Sequence, residues 1–160
     1  MKALVTYDSF FGNTEQIARA IGEALSEQMD VEVRKVGDVQ MEQLNDLDLL
    51  IVGAPTRGFR PSPEGGRFLK SLPARRLQGV KAAAFDTRIG QEDITSRALR
   101  FMVRLFGYAA KPIAHKLEQK GADIVIGPEG FCVEDTEGPL KEGELERAAA
   151  WAQQIMSTMS

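Results

Sequence analysis

The apolar run Ala3-Leu4-Val5 breaks at Asp8 into a short turn, Asp8-Ser9-Phe10-Phe11-Gly12-Asn13-Thr14, and apolar residues return at Ile17, Ala18, Ile21 and Leu25. An uninterrupted apolar run is what a strand covered on both faces requires. The later spacing is that of an amphipathic helix. A strand that enters a helix through one tight turn is the first half of a parallel crossover unit, which narrows the fold at once. Such a turn also leaves several backbone N–H groups unpaired at the positive end of the helix dipole. Ser9, Asn13 and Thr14 add polar side chains, and Gly12 permits close backbone approach. The turn is a candidate phosphate seat. On this stretch alone, a plain helix cap by Asn13 or Thr14 is an equal alternative.

The rest of the chain repeats the pattern. Val31 to Val36 alternates apolar and polar residues, as an edge strand should. Met41 to Leu47 reads as a short helix or irregular connection. Asp48 to Gly53 is a second fully buried strand, and it runs into Ala54-Pro55-Thr56-Arg57-Gly58-Phe59-Arg60-Pro61, too rich in breakers to be regular. A helix is predicted from Glu64 to Leu72, ending before Pro73. Val80 to Phe85 is a further strand, expected to break off at Asp86-Thr87-Arg88-Ile89-Gly90. Ile94 to Phe106 has helical spacing, with Arg97, Arg100 and Arg104 along one side. Gly107 ends that helix and Pro112 opens the next, through Leu117 to Gly121. Asp123 to Ile126 and Phe131 to Val133 read as one last strand interrupted by Gly127-Pro128-Glu129-Gly130, and Glu142 to Met156 closes the chain as an acid-started helix.

Five strands alternating with helices specify an α/β fold, a doubly wound parallel sheet with helices on both faces. No repeat or linker divides it, so residues 1–160 are expected to form a single domain. In such sheets ligands sit beyond the carboxyl ends of the strands, where the strand order switches. The loops 8–14, 54–61 and 86–91 are expected to converge there.

Composition excludes several classes. No apolar run approaches ~18 residues and no secretion signal opens the chain, so neither a membrane span nor export is expected. Cys132 is the single cysteine, so no internal disulfide can form, and no Cys/His cluster has metal-ligand spacing. Set between Phe131 and Val133, it reads as a buried thiol. A cytoplasmic location follows. The net charge of −3 is unevenly spread: residues 57–116 hold 13 Lys+Arg against 4 Asp+Glu, leaving 7 basic and 19 acidic residues elsewhere. If the basic block clusters in space, it favours an anionic ligand or an acidic partner. No serine–histidine–aspartate or paired-carboxylate arrangement stands out, so no catalytic residue is assigned, and His115 reads as a solvated helix residue.

The first turn has no lysine after its glycine and only one glycine, so it is neither a Walker A loop nor a dinucleotide fingerprint. It suits a terminal monophosphate. It resembles the phosphate-binding loop of flavodoxins, a hydroxyl residue followed by two residues and then Gly-Asn-Thr, which Ser9, Gly12, Asn13 and Thr14 match. The resemblance extends over essentially the whole chain, the tail GPLKEGELERAAAWAQQI included.

That resemblance implies a five-stranded, flavodoxin-like sheet of order 2-1-3-4-5 and an FMN cofactor. Ser9, Phe10, Phe11, Gly12, Asn13 and Thr14 would hold the phosphate. Pro55, Thr56, Arg57, Gly58 and Phe59 would form one wall of the isoalloxazine pocket, and Asp86, Thr87, Arg88 and Gly90 the other. Flavodoxins usually carry hydroxyl residues where Phe10 and Phe11 stand, and aromatics on both sides of the flavin. Here Phe59 supplies one, with Phe106 or Tyr108 as the other candidate. Arg57 or Arg88 near the N1/O2 edge would give a less reducing second couple than an acidic flavodoxin has.

The function implied is electron transfer with a redox partner protein, an acidic one if the basic block docks it. The alternatives are an FMN-dependent NAD(P)H:quinone-type oxidoreductase and a flavin-free interaction domain of the same fold. A phosphorelay receiver needs a phosphoacceptor Asp where this chain has Gly53-Ala54-Pro55. Nucleic acid and membrane are not expected partners, and the sequence leaves monomer and homodimer open.

Overall fold

The computed structural model describes residues 1–56, 63–90, 97–98 and 108–159. Arg57, Gly58, Phe59, Phe106 and nearly all of the predicted helix Ile94 to Phe106 lie outside the described residues; Arg97 and Ala98 are helical and exposed.

The elements run β1 (Lys2–Tyr7), α1 (Asn13–Leu25), β2 (Asp30–Lys35), β3 (Leu49–Pro55), α2 (Pro63–Ser71), β4 (Lys81–Ile89), α3 (Ala110–Gln119), β5 (Asp123–Ile124), β6 (Glu129–Val133) and α4 (Glu144–Met159). Two 3-10 turns, Val36–Asp38 and Met41–Leu44, fill the connection between β2 and β3. The sheet order is β2-β1-β3-β4-β5, with β6 also paired to β4. Every one of these pairings is parallel. The predicted order 2-1-3-4-5 and the edge position of β2 are what the structure has.

Two local expectations need correction. The predicted break at Asp86 is absent, because β4 continues to Ile89. Its polar residues are held by pairing on both sides: Ala54 and Pro55 of β3 align with Asp86 and Thr87, while β6 aligns Phe85 with Glu129 and Ile89 with Val133. Likewise the loop expected from Ala54 begins later, since β3 runs through Pro55. The last strand does split as its Gly-Pro interruption suggested, into a two-residue β5 and a five-residue β6.

Alternation along the strands feeds two cores. Ala3, Val5 and Tyr7 of β1 face one side with Ile17, Ile21 and Leu25 of α1 and Trp151 and Ile155 of α4. There Phe85, Phe131 and Trp151 meet edge to face with ring centroids 6.0–6.2 Å apart, the geometry their quadrupoles favour. Leu4, Leu50, Val52 and Ala84 face the other side with Phe68 and Leu69 of α2 and Ile113 and Leu117 of α3. Burying an apolar side chain of this size contributes roughly 1.5–3 kcal/mol, so the two cores outweigh any surface term. Among the described residues, no helix is long and apolar enough to cross a membrane.

Beside β6, burial pushes the Glu144 carboxyl up, but bonds from Arg147 and from the Cys132 N–H (2.6 Å) outweigh it and hold it below the usual range. Arg147 also bonds Glu129 and the Gly130 carbonyl. Cys132 is half-buried rather than buried, and burial pushes its thiol up, as expected of an unreactive one.

Candidate functional site

The turn after β1 is tied to the sheet at its first residue, where the Asp8 N–H donates to the Gly53 carbonyl of β3 (3.0 Å). It then folds on itself. The Ser9 N–H donates to Asp8 Oδ1 and the Gly12 N–H to Ser9 Oγ, both at 3.0 Å. Gly12 is the N-cap of α1, with φ 88° and ψ −5°, and among the described residues no side chain caps the helix. The left-handed conformation explains the glycine, since a side chain there costs roughly 1–2 kcal/mol. Because nothing caps α1, the amides of Asn13, Thr14 and Glu15 have no acceptor among the described residues. Three convergent donors at a helix N-terminus suit an anion. Phe10 and Phe11 flank them, 46% and 55% exposed.

The capping alternative raised by the sequence does not hold. Asn13 Nδ2 donates to the Glu137 carbonyl (3.1 Å), and Thr14 Oγ1 shares a hydrogen bond with Thr87 Oγ1 (2.8 Å) in a buried position. Both side chains fasten the turn to its surroundings rather than cap the helix. Their partners lie 124 and 73 residues away, so no local pattern signals them. At the first residue of the turn, Asp8 is buried and its Oδ2 has no hydrogen-bond partner among the described residues.

The end of β4 is built differently. Asp86 is 0% exposed, and Arg88 grips it with Nε on Oδ1 and an Nη on Oδ2, both at 2.6 Å. The Ala110 N–H, at the start of α3, adds a third bond to Oδ2 (2.8 Å). Burial pushes the Asp86 carboxyl up, while Arg88 and Ala110 pull the other way. The Arg88 guanidinium also lies 3.7 Å from the centre of the Tyr108 ring. Gly130 lies beside it; a Cβ there would fall 2.1 Å from Arg88 Nε, so only glycine admits the arginine. The Tyr108 hydroxyl donates to the Ile89 carbonyl (3.2 Å). Tyr108 therefore packs on the arginine.

This alters the reading of the β4 residues. Asp86 does not form a turn; it is a strand residue that anchors a cation and a helix. Arg88 is not an uncompensated positive charge, because its carboxylate partner is bound in two places. The argument for a less reducing second couple loses its Arg88 half, and its Arg57 half lies outside the described residues.

Thr87 points to the other face and meets Thr14, as above, while its carbonyl accepts from the Thr56 N–H (3.0 Å). Thr56 Oγ1 accepts from the Ala109 N–H (3.2 Å), and Pro55 pairs with Thr87 in the sheet. Gly90 is buried directly after β4. The structure thus brings together the turn 8–14, Pro55, Thr56, Asp86, Thr87 and the start of α3 at the carboxyl edge of the sheet. It assembles no cluster of metal-ligating side chains among the described residues, and His115 is exposed with Gln119 beside it (3.1 Å).

Comparison with known proteins agrees with this arrangement. The family profile described as Flavodoxin matches residues 5–151. A protein of Bacillus subtilis (strain 168) described as probable flavodoxin 1 is 30% identical over 130 residues, covering 80% of each chain. Among solved structures, oxidised flavodoxin 1 from Bacillus cereus superposes over 100% of both chains with a TM-score of 0.78 at 20% identity. A flavodoxin from the domain Archaea does so at a TM-score of 0.73 and 23% identity, again over 100% of both chains. At such identities the two structures speak for the fold, and the family profile with the B. subtilis relative speaks for descent. The chain belongs to the flavodoxin family of flavin-binding electron carriers.

Proposed function

We propose that the protein is a one-domain carrier of electrons whose flavin is FMN, with the phosphate seated on the turn 8–14. The observation that carries this reading is the set of open amides at Asn13, Thr14 and Glu15 beneath a left-handed Gly12. A riboflavin moiety offers no anion to such a seat, whereas a terminal phosphate does. Backbone amides supply the contacts that Asn13 and Thr14 side chains do not, which is why Phe10 and Phe11 in place of hydroxyl residues are compatible with it. Bound FMN would supply the redox chemistry. The chain's part is to hold the phosphate end through Ser9 and the loop amides and to frame the ring end with Pro55, Thr56, Thr87 and Gly90. Arg57, Gly58 and Phe59 complete that frame in our reading. The protein works in the cytoplasm with a protein redox partner, and the basic excess of residues 57–116 makes an acidic partner the complementary one.

The test is direct. Apoprotein titrated with FMN and with riboflavin should quench FMN fluorescence at concentrations at least about 100-fold lower than riboflavin, a gap of roughly 3 kcal/mol. Equal affinities would sink the phosphate seat, and a colourless protein that takes up neither would sink the flavin reading. Steady oxidation of NADPH or NADH by a quinone without any added protein would shift the reading to the oxidoreductase alternative.

A further inference from the structure

The two faces of the sheet carry opposite charge. On one, α1 with the residues up to Met29 and α4 hold five glutamates, Glu15, Glu23, Glu27, Glu144 and Glu146, against Arg19 and Arg147. On the other, α2, the turn after it and α3 hold Arg67, Lys70, Arg75, Arg76, Lys111, Lys116 and Lys120 against Glu64 and Glu118. The pairing differs as well as the count. Both arginines of the acidic face are in ion pairs, Arg19 with Glu15 and Arg147 with Glu144. On the basic face, Arg67, Lys70, Arg75, Lys111 and Lys116 form no ion pair with any described residue, and all but the half-buried Lys116 are exposed. Arg76 and Lys120 hold this face in place, through the Met41 carbonyl and Asn45 and through the Leu72 carbonyl.

We propose that this face is the docking surface for an acidic partner protein, an inference that rests on the electron-carrier reading. An unmatched set of cations raises the field over one side of the molecule and steers an oppositely charged protein to it. The row begins at the site: Lys111 directly follows Ala110, whose amide is bonded to Asp86. A partner seated there therefore covers the start of α3 beside Thr56 and the end of β4. The surface chemistry selects among polyanions. Among the described residues, the large apolar side chains that are exposed are Met1, Phe10, Phe11, Met41 and Leu145, and none lies on α2 or α3. Among the described residues, the face thus lacks the aromatic platforms that bind single-stranded nucleic acid and the apolar anchors that insert into a membrane. Exposed charge without an apolar core suits a short-lived protein encounter.

Backbone amide NMR of the flavin-loaded protein, titrated with poly-L-glutamate at low ionic strength, tests this. Shifts should concentrate on residues 63–79 and 108–121. They should vanish at about 1 M salt, where the screening length is about 3 Å. The triple variant Arg67→Glu, Lys70→Glu, Lys111→Glu should weaken poly-L-glutamate binding at least about tenfold while its flavin absorbance is retained. Shifts centred elsewhere, or binding unchanged in the variant, overturn the proposal. So does a DNA duplex that displaces poly-L-glutamate, which assigns the face to nucleic acid. Concentration-dependent shifts in the protein alone overturn it too, by making the acidic face of a second copy the occupant. A colourless preparation that still shows the localised shifts supports the docking face and removes the flavin reading, so the two ideas fail separately.

Discussion

The turn after β1 and the end of β4 meet at one edge of the sheet, yet they treat polar groups in opposite ways. The turn ties down the side chains of Asn13 and Thr14 and leaves amides open at the head of α1. At the β4 end the charged groups are matched: Asp86 is buried with three bonds, and Arg88 is met by that carboxylate and by the Tyr108 ring. A charged group that is fully satisfied within the fold is structural; donors left open at a helix N-terminus are an invitation to a ligand. The contrast separates residues that build the site from residues that fill it, although both sets stood together as cofactor contacts on the sequence alone.

The largest effect should come from breaking the closed side. Arg88→Met strands a buried carboxylate and should cost about 3–5 kcal/mol in urea unfolding. Its deficit should shrink as pH falls. With Asp86 held above its unfolded range, the native state binds the proton more readily, so lowering the pH favours folding and raising it does not. A deficit that is small or independent of pH would mean that Asp86 finds another partner.

Next is the hinge between the two regions. Thr14→Val or Thr87→Val alone leaves one buried hydroxyl unpaired and should cost about 1–3 kcal/mol, whereas the double change should cost less than the sum. Strict additivity of the two in denaturant melts would show that the 2.8 Å bond does not couple turn to strand. On the open side, Gly12→Ala should lose about 1–2 kcal/mol of stability. It should also weaken FMN more than riboflavin, because it disturbs the amides and not the ring frame. Equal weakening of both ligands would place the phosphate elsewhere.

The smallest effect belongs to the frame outside the site. Glu144→Gln weakens the hold on the Cys132 amide and on Arg147 and should cost about 1 kcal/mol at neutral pH, a charged hydrogen bond discounted for solvent. Since Glu144 sits below its ordinary range in the folded state, the wild-type advantage should be complete above the normal glutamate range and disappear as pH falls through the lowered value. An advantage that persists in strong acid would contradict the ionic account.

What the chain order displays locally was legible. Apolar runs marked the central strands, helical spacing marked α1 and α4, and alternation marked the edge strand β2, because each reflects which faces are covered. The uncapped turn 8–14 at the head of α1 was legible for the same reason: its glycine and its place between strand and helix are consecutive residues. The β4 end was not. Asp86 and Arg88 looked like the polar close of a strand, and only β6, more than forty residues later, makes them interior strand positions. The engagement of Asn13 by Glu137 and of Arg88 by Tyr108 is equally invisible, since tertiary proximity sets it and spacing does not.

The split pairing of β4 has a consequence for behaviour at high concentration. Lys81 and Ala82 pair with β5 and Phe85 to Ile89 with β6, so two short strands in series form this border of the sheet. Between them the backbone leaves the ladder through Gly127 and Pro128. The opposite border, β2, carries Asp30, Glu32, Arg34 and Lys35. A continuous flat border with open backbone groups is a template for sheets of neighbouring molecules to add on. Here one border is too interrupted and the other too charged to accept a strand, which guards a parallel, slow-pairing architecture against fibril-like growth while it folds.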